Sequence, residues 1–173
     1  MKFKTFNLWL ASILVGLLLG FFGATAAHYF RIGILFIAQN AQNYFQNSTS
    51  FIFFFCSLSI AAILISLIKK IVKVKEWHGP ADTIFAAHRI DNELDVKTGV
   101  ASTLVAFISA GGGASVGQYG PLVHFGATLG ALIKGKLKLP ITTDVFLGGG
   151  VAAAISAGFN APLAGIIFAH EAI

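Results

Sequence analysis

The feature that most constrains this chain is a 36-residue stretch, Thr98 to Ile133, with no Asp, Glu, Lys or Arg. As one straight helix it would run roughly 54 Å, too long for a bilayer at ordinary tilt. Its glycines and Pro121 divide it into pieces at about 97–115 and 121–134. Seven of the 23 residues from Gly111 to Ile133 are Gly. A glycine-rich loop therefore runs up to Gly120, and a small-residue helix opens behind Pro121. Proline suits a first helical turn because the N–H it lacks would be unpaired there. The free N–H groups of such a helix start, with the positive end of its dipole, make an anion site. Within a membrane, broken backbone persists only when it is buried in protein or lines a cavity.

The rest of the chain supports the membrane reading. It has 173 residues, of which 56% are apolar and only 11% charged, against about 25% charged in soluble domains. The net charge of +5 does not indicate nucleic acid, because Lys and Arg sit at the ends of apolar runs. The single cysteine, Cys56, lies inside such a run and implies neither a disulfide framework nor a metal cluster. No cofactor is implied.

The first uncharged run, Thr5 to Phe30, is 26 residues long. A cleavable leader has an apolar core of about 7–15 residues, so this run reads as a retained span. It extends over about 6–39, past Arg31, to the polar patch QNAQNYFQNSTS (Gln39–Ser50), which reads as a loop. A second span covers about 51–70 and ends in Lys69, Lys70, Lys73 and Lys75. The positive-inside rule puts that cluster and Lys2 and Lys4 in the cytoplasm. A short helix of about 80–90, beginning at Pro80, cannot span and reads as re-entrant or interfacial. A last apolar stretch, about 144–173, is broken at Asn160-Ala161-Pro162. HGP at His78, YGP at Tyr119 and NAP at Asn160 thus repeat one grammar, a small-residue break with Pro leading a short helix. That is how pores and carriers of discontinuous helices are built.

Competing motifs fall away. GASVG around Ser115 matches a nucleophile elbow, but its flanks are apolar helix rather than strand-turn-helix, and the nearest histidine, His124, lies in the next helix. No Lys-Ser or Lys-Thr follows the glycines, so there is no phosphate-binding P-loop. The histidines show no ligand spacing and read as packed or interfacial. The chain is not read as an enzyme.

GQYGPLVHFGATLGALI resembles the GREGP-type signature and following helix of the CLC chloride channel and transporter family. FNAPLAGIIFAHE (Phe159–Glu171) resembles a second segment of that family at matching spacing, and HGPADTIFAAH stands where the family has its GSGIP-type loop. The resemblance implies an all-α polytopic membrane protein with discontinuous and re-entrant helices. Residues 1–173 would be the N-terminal half of a transmembrane domain, the first of two inverted repeats, and the helix running out at Ile173 reads as part of a longer product. It further implies a multi-pass protein of the plasma (inner) membrane, a homodimer at full length, with chloride or a similar small anion held by helix N-termini. Carried over residue by residue, the anion-binding and gate positions are Gly117, Gln118, Tyr119, Gly120 and Pro121. The inner-loop candidates are Trp77, His78, Gly79 and Pro80. The departures matter. Tyr119 stands where exchangers of the family carry a gating glutamate, Gln118 replaces an arginine, Ala172 replaces a proton-relaying acid, and Trp77 replaces a serine. A phenol donates a hydrogen bond and does not titrate near neutrality, so these positions favour passive, uncoupled conduction. A proton-coupled exchanger using another acid such as Glu171, and a non-conducting module needing a partner, are the alternatives. As a purely structural aromatic, Tyr119 would pack against Phe125.

Overall fold

The computed structural model describes residues 2–45, 50–91, 93–117, 119–137 and 139–173. The described residues form seven helices and no strand: α1 Lys2–Phe45, α2 Ser50–Val72, α3 Pro80–His88, α4 Val96–Gly111, α5 Tyr119–Lys136, α6 Thr143–Phe159 and α7 Pro162–Ala172. Two stretches, Trp9–Ile37 in α1 and Phe54–Val72 in α2, are long and apolar enough to cross a membrane.

Helix α1 runs further than its sequence suggests. It continues to Phe45, through the first part of the Asn/Gln-rich patch read as a loop, while Gln46–Thr49 lie outside the described residues. Extending a formed helix adds one hydrogen bond per residue fixed, which outweighs the mild helix aversion of Asn and Gln. Asn40 also turns its side-chain amide back onto the Phe36 carbonyl at 2.7 Å.

The core is made of small residues. Helices α5 and α6 touch backbone to backbone: a Cβ added at Gly126 would collide with the Gly150 carbonyl, and one at Gly130 with that of Phe146. Small residues four apart let helices approach closely where lipid provides no hydrophobic drive. Around this seam Ala127, Phe146, Leu147 and Val151 are wholly buried. Val15 and Leu19 of α1 close over Phe146, and Ala27 and Phe30 close over Leu122 further along.

The uncharged central stretch is broken, and the boundaries differ from the sequence reading. Helix α4 stops at Gly111 rather than near 115, because Gly113 takes a positive φ of 95° that glycine alone adopts without strain. The amides of Gly112, Gly113 and Ala114 fold back onto the carbonyls of Ile108, Ala110 and Ser109. Ser57 of α2 fastens this turn, its hydroxyl donating to the Gly112 carbonyl at 2.5 Å. Helix α5 then begins at Tyr119, two residues before Pro121. Pro121 remains tolerable there, since none of the first-turn N–H groups has an intrahelical acceptor to lose.

Candidate functional site

The three proline-led breaks gather around the start of α5. Its first residue, Tyr119, is half-buried and stacks on Phe159 with ring centroids 4.0 Å apart. Phe159 ends α6; Asn160 follows in the left-handed region, and α7 starts at Pro162. The tyrosine therefore packs against the third break, and not against Phe125, which lines a different cleft with Val100 and Phe107. The stacked position exists because Gly158 has no side chain: a Cβ there would lie 3.1 Å from the Tyr119 ring. At the other neighbour, a Cβ on Gly120 would lie 3.5 Å from the Pro80 ring, so the first break touches the second.

Tyr119 also lines two clefts. One, of about 500 Å³, runs along α1 past Ala24, His28 and Arg31, with Tyr119, Leu122, Ala157 and Gly158 opposite. The other, of about 400 Å³, lies between Ile34 and Leu35 of α1 and the loop residues Ala114, Val116 and Gly117. Residues 24, 28, 31 and 35 recur on one face of α1. The two clefts thus follow one helix stripe, and Tyr119 lines both. Gly117 is exposed, and its N–H has no acceptor among the described residues. The Tyr119 and Gly120 N–H groups open the helix and have no intrahelical partner by position. Gln118 lies outside the described residues. Pro121 is half-buried in the first turn.

The inner-loop candidates are arranged differently. Trp77, His78 and Gly79 are half-buried and Pro80 is exposed. The His78 N–H donates to the Ser102 hydroxyl at 3.0 Å, and the Gly79 N–H to the Asp82 carboxylate at 2.7 Å. Pro80 has no N–H. The start of α3 therefore carries its own anion, Asp82, in its first turn.

Sequence reasoning set aside the residue that ties the two loops together. His124, in α5, is 1% exposed. One ring nitrogen, Nδ1, shares a 2.8 Å hydrogen bond with the Thr83 hydroxyl of α3, and its ring meets His78 edge-on at 6.0 Å. His124 Nε2 and His78 Nδ1 have no hydrogen-bond partner among the described residues. Thr128, one turn on, donates to the His124 carbonyl and fills the space left by Gly99 of α4. The sequence signal was His124 and Thr128 four apart on an otherwise apolar, Gly-rich face. This geometry also removes the elbow reading: Ser115 is exposed on the loop, while His124 is buried and engaged with Thr83.

Below this layer Asp95 caps α4, accepting from the Lys97 N–H at 3.0 Å and from the Thr98 hydroxyl. The Thr98 hydrogen bond holds its carboxyl below the usual value, with desolvation opposing. Among the described residues no three His, Cys, Asp or Glu side chains gather as a metal site would need.

Two bilayer-length apolar helices, two short helices that start at Pro80 and Pro162, and a third helix with Pro121 in its first turn make an all-α architecture of the discontinuous-helix type. A family model described as voltage gated chloride channel matches residues 60–173, and the chain belongs to that family, which bears out the resemblance to CLC proteins. It is 26% identical over 97% of its length to chloride channel protein A of Dictyostelium discoideum, covering 22% of that protein. It is 26% identical over 96% of its length to the H(+)/Cl(-) exchange transporter ClcA of Vibrio parahaemolyticus, covering 36% of it. Over 63 residues, 35% of the chain and 13% of the relative, identity reaches 43% with the protein of the same name from Yersinia pestis. The chain thus spans between about a fifth and somewhat over a third of the first two relatives.

Proposed function

We propose that this chain is the N-terminal half of an anion-transporting membrane domain, and that it conducts chloride or a similar small anion passively. In this reading the full-length protein is a multi-pass homodimer of the plasma membrane, α3 is re-entrant, and transport consumes no covalent chemistry. The observation that carries the reading is the start of α5. Unpaired amides at Gly117, Tyr119 and Gly120 adjoin two clefts lined by one neutral phenol. A partly dehydrated anion passing Tyr119 meets oriented N–H dipoles, and no carboxylate lines either cleft. In α7 the exposed Glu171 is followed directly by Ala172, which carries no proton.

Coupled exchange is the second reading, favoured by the names of the Vibrio and Yersinia relatives; Glu171 would then be the proton carrier. The two separate in liposomes bearing the full-length protein, with chloride efflux and internal pH followed together. Passive conduction gives chloride efflux without proton movement. A constant proton-to-chloride ratio across imposed gradients overturns it in favour of exchange, and absence of any efflux leaves the non-conducting module.

A further inference from the structure

We propose that Arg31 of α1 is an anion-attracting station at the mouth of the cleft beside Tyr119. This rests on the anion-transport reading of the same site and adds a residue to it.

From Thr5 to Ile68 the only charged residue is Arg31. A cation within the apolar span Trp9–Ile37 needs a polar or aqueous surrounding, and Arg31 is exposed. Arg31 has no ion-pair partner among the described residues. Its place on the helix is specific. With Ala24 and His28 it lies on the α1 stripe that walls the 500 Å³ cleft, facing Tyr119 and Gly158 across the space. It stands 22 residues beyond Trp9, about 33 Å along the axis, so the guanidinium is roughly one hydrocarbon thickness from that aromatic. The stretch Gly111–Ile133, which supplies the amides at Tyr119, carries no charge at all. Dipoles hold an anion at short range, but they do not raise its concentration at a distance; a net charge in a low-dielectric cleft does. The guanidinium supplies that charge from a neighbouring helix, and its five donors suit small inorganic anions. The exposed His28 imidazole, one turn earlier on the same wall, completes the polar lining from α1.

The test is halide binding to the purified full-length protein in neutral detergent, by titration calorimetry with chloride and bromide. Arg31→Gln is expected to weaken binding about tenfold and Arg31→Lys about threefold or less, as loss and retention of one partly screened charge require. In liposomes Arg31→Gln should raise the chloride concentration for half-maximal efflux by a similar factor and leave the saturated rate within about twofold. Equal halide affinity in wild type and Arg31→Gln overturns the proposal. So does a difference that vanishes when anionic phosphatidylglycerol is added, because Arg31 would then be a lipid-headgroup contact. Wild-type protein that binds halide through Arg31 but shows no efflux overturns the conduction reading while sustaining the station.

Discussion

Two loops in this molecule lead into helices with proline in the first turn, α3 and α5, and they use the same grammar to opposite effect. At residues 78–80 the backbone donors are consumed from within: Ser102 takes the His78 N–H, Asp82 takes the Gly79 N–H, and Pro80 has none. At residues 112–120 the first three amides are turned back onto α4, while those of Gly117, Tyr119 and Gly120 have no acceptor among the described residues, and Gly117 and Tyr119 border open clefts. A helix N-terminus is therefore an anion site only when its own side chains do not cap it and a cavity reaches it. An acid three residues after the cap, as at Asp82, provides the counter-charge that an external anion would otherwise supply. The glycines of the second loop have no side chain that could do so.

The comparison is most exposed to failure at His124, which fastens the capped loop from behind. His124→Ala removes a buried ring and strands the Thr83 hydroxyl, and should cost about 3 kcal/mol. Ser115→Ala on the open loop should stay within about 0.5 kcal/mol. Thermal unfolding in detergent measures both, and equal shifts would break the distinction between a packed loop and an open one.

Next in size is the phenol itself. Tyr119→Ala deletes the ring that is stacked on Phe159 and lines both clefts. Passive anion efflux should rise about tenfold, which corresponds to a barrier lowered by ~1.4 kcal/mol. A fall in efflux would show that the phenol hydroxyl serves as a ligand more than the ring serves as a barrier.

Asp82→Ala sharpens the contrast from the other side. It should lower stability by about 1 kcal/mol through loss of the Gly79 cap. It should also make the melting temperature newly dependent on chloride, since the freed amide and dipole then accept an external anion. Chloride-independent melting of the variant would mean that burial, and not Asp82, closes that loop.

The smallest effect belongs to Asp95, at the start of the helix that delivers the open loop. Its carboxyl titrates below the usual value, so its stabilising contribution is complete above the unfolded-state carboxyl pKa. That contribution is lost as pH falls through the lower folded-state value. Asp95→Ala should cost about 0.5–1 kcal/mol near neutrality. The difference from wild type should shrink as the pH is taken below about 4, the ordinary carboxyl range. A difference constant in pH would assign the effect to helix propensity instead.

Some of this was legible from residue order. Apolar runs bounded by lysines, and prolines behind small residues, mark where helices interrupt. The boundaries slipped where a local preference met a longer-range one. The α1 helix overran its polar patch because propagation is cheap. The α5 helix began ahead of Pro121 because a helix start has no donors to lose. Tyr119 could be singled out by position, but its partner could not. Phe125 and Phe159 look equivalent in sequence, and only the absence of a side chain at Gly158 opens the place for stacking. His124 was passed over because a lone histidine on an apolar face carries no spacing signal; its meaning lies in Thr83, 41 residues away.

Sequence alone determined that this chain is helical, suited to a bilayer and broken at three proline-led points, because periodicity, charge spacing and backbone chemistry are local properties. Tertiary structure decided which break is closed and which lies open, and that Arg31 shares a cleft with Tyr119. Those outcomes depend on which side chains from distant helices arrive at a given amide, and no local pattern encodes such arrivals.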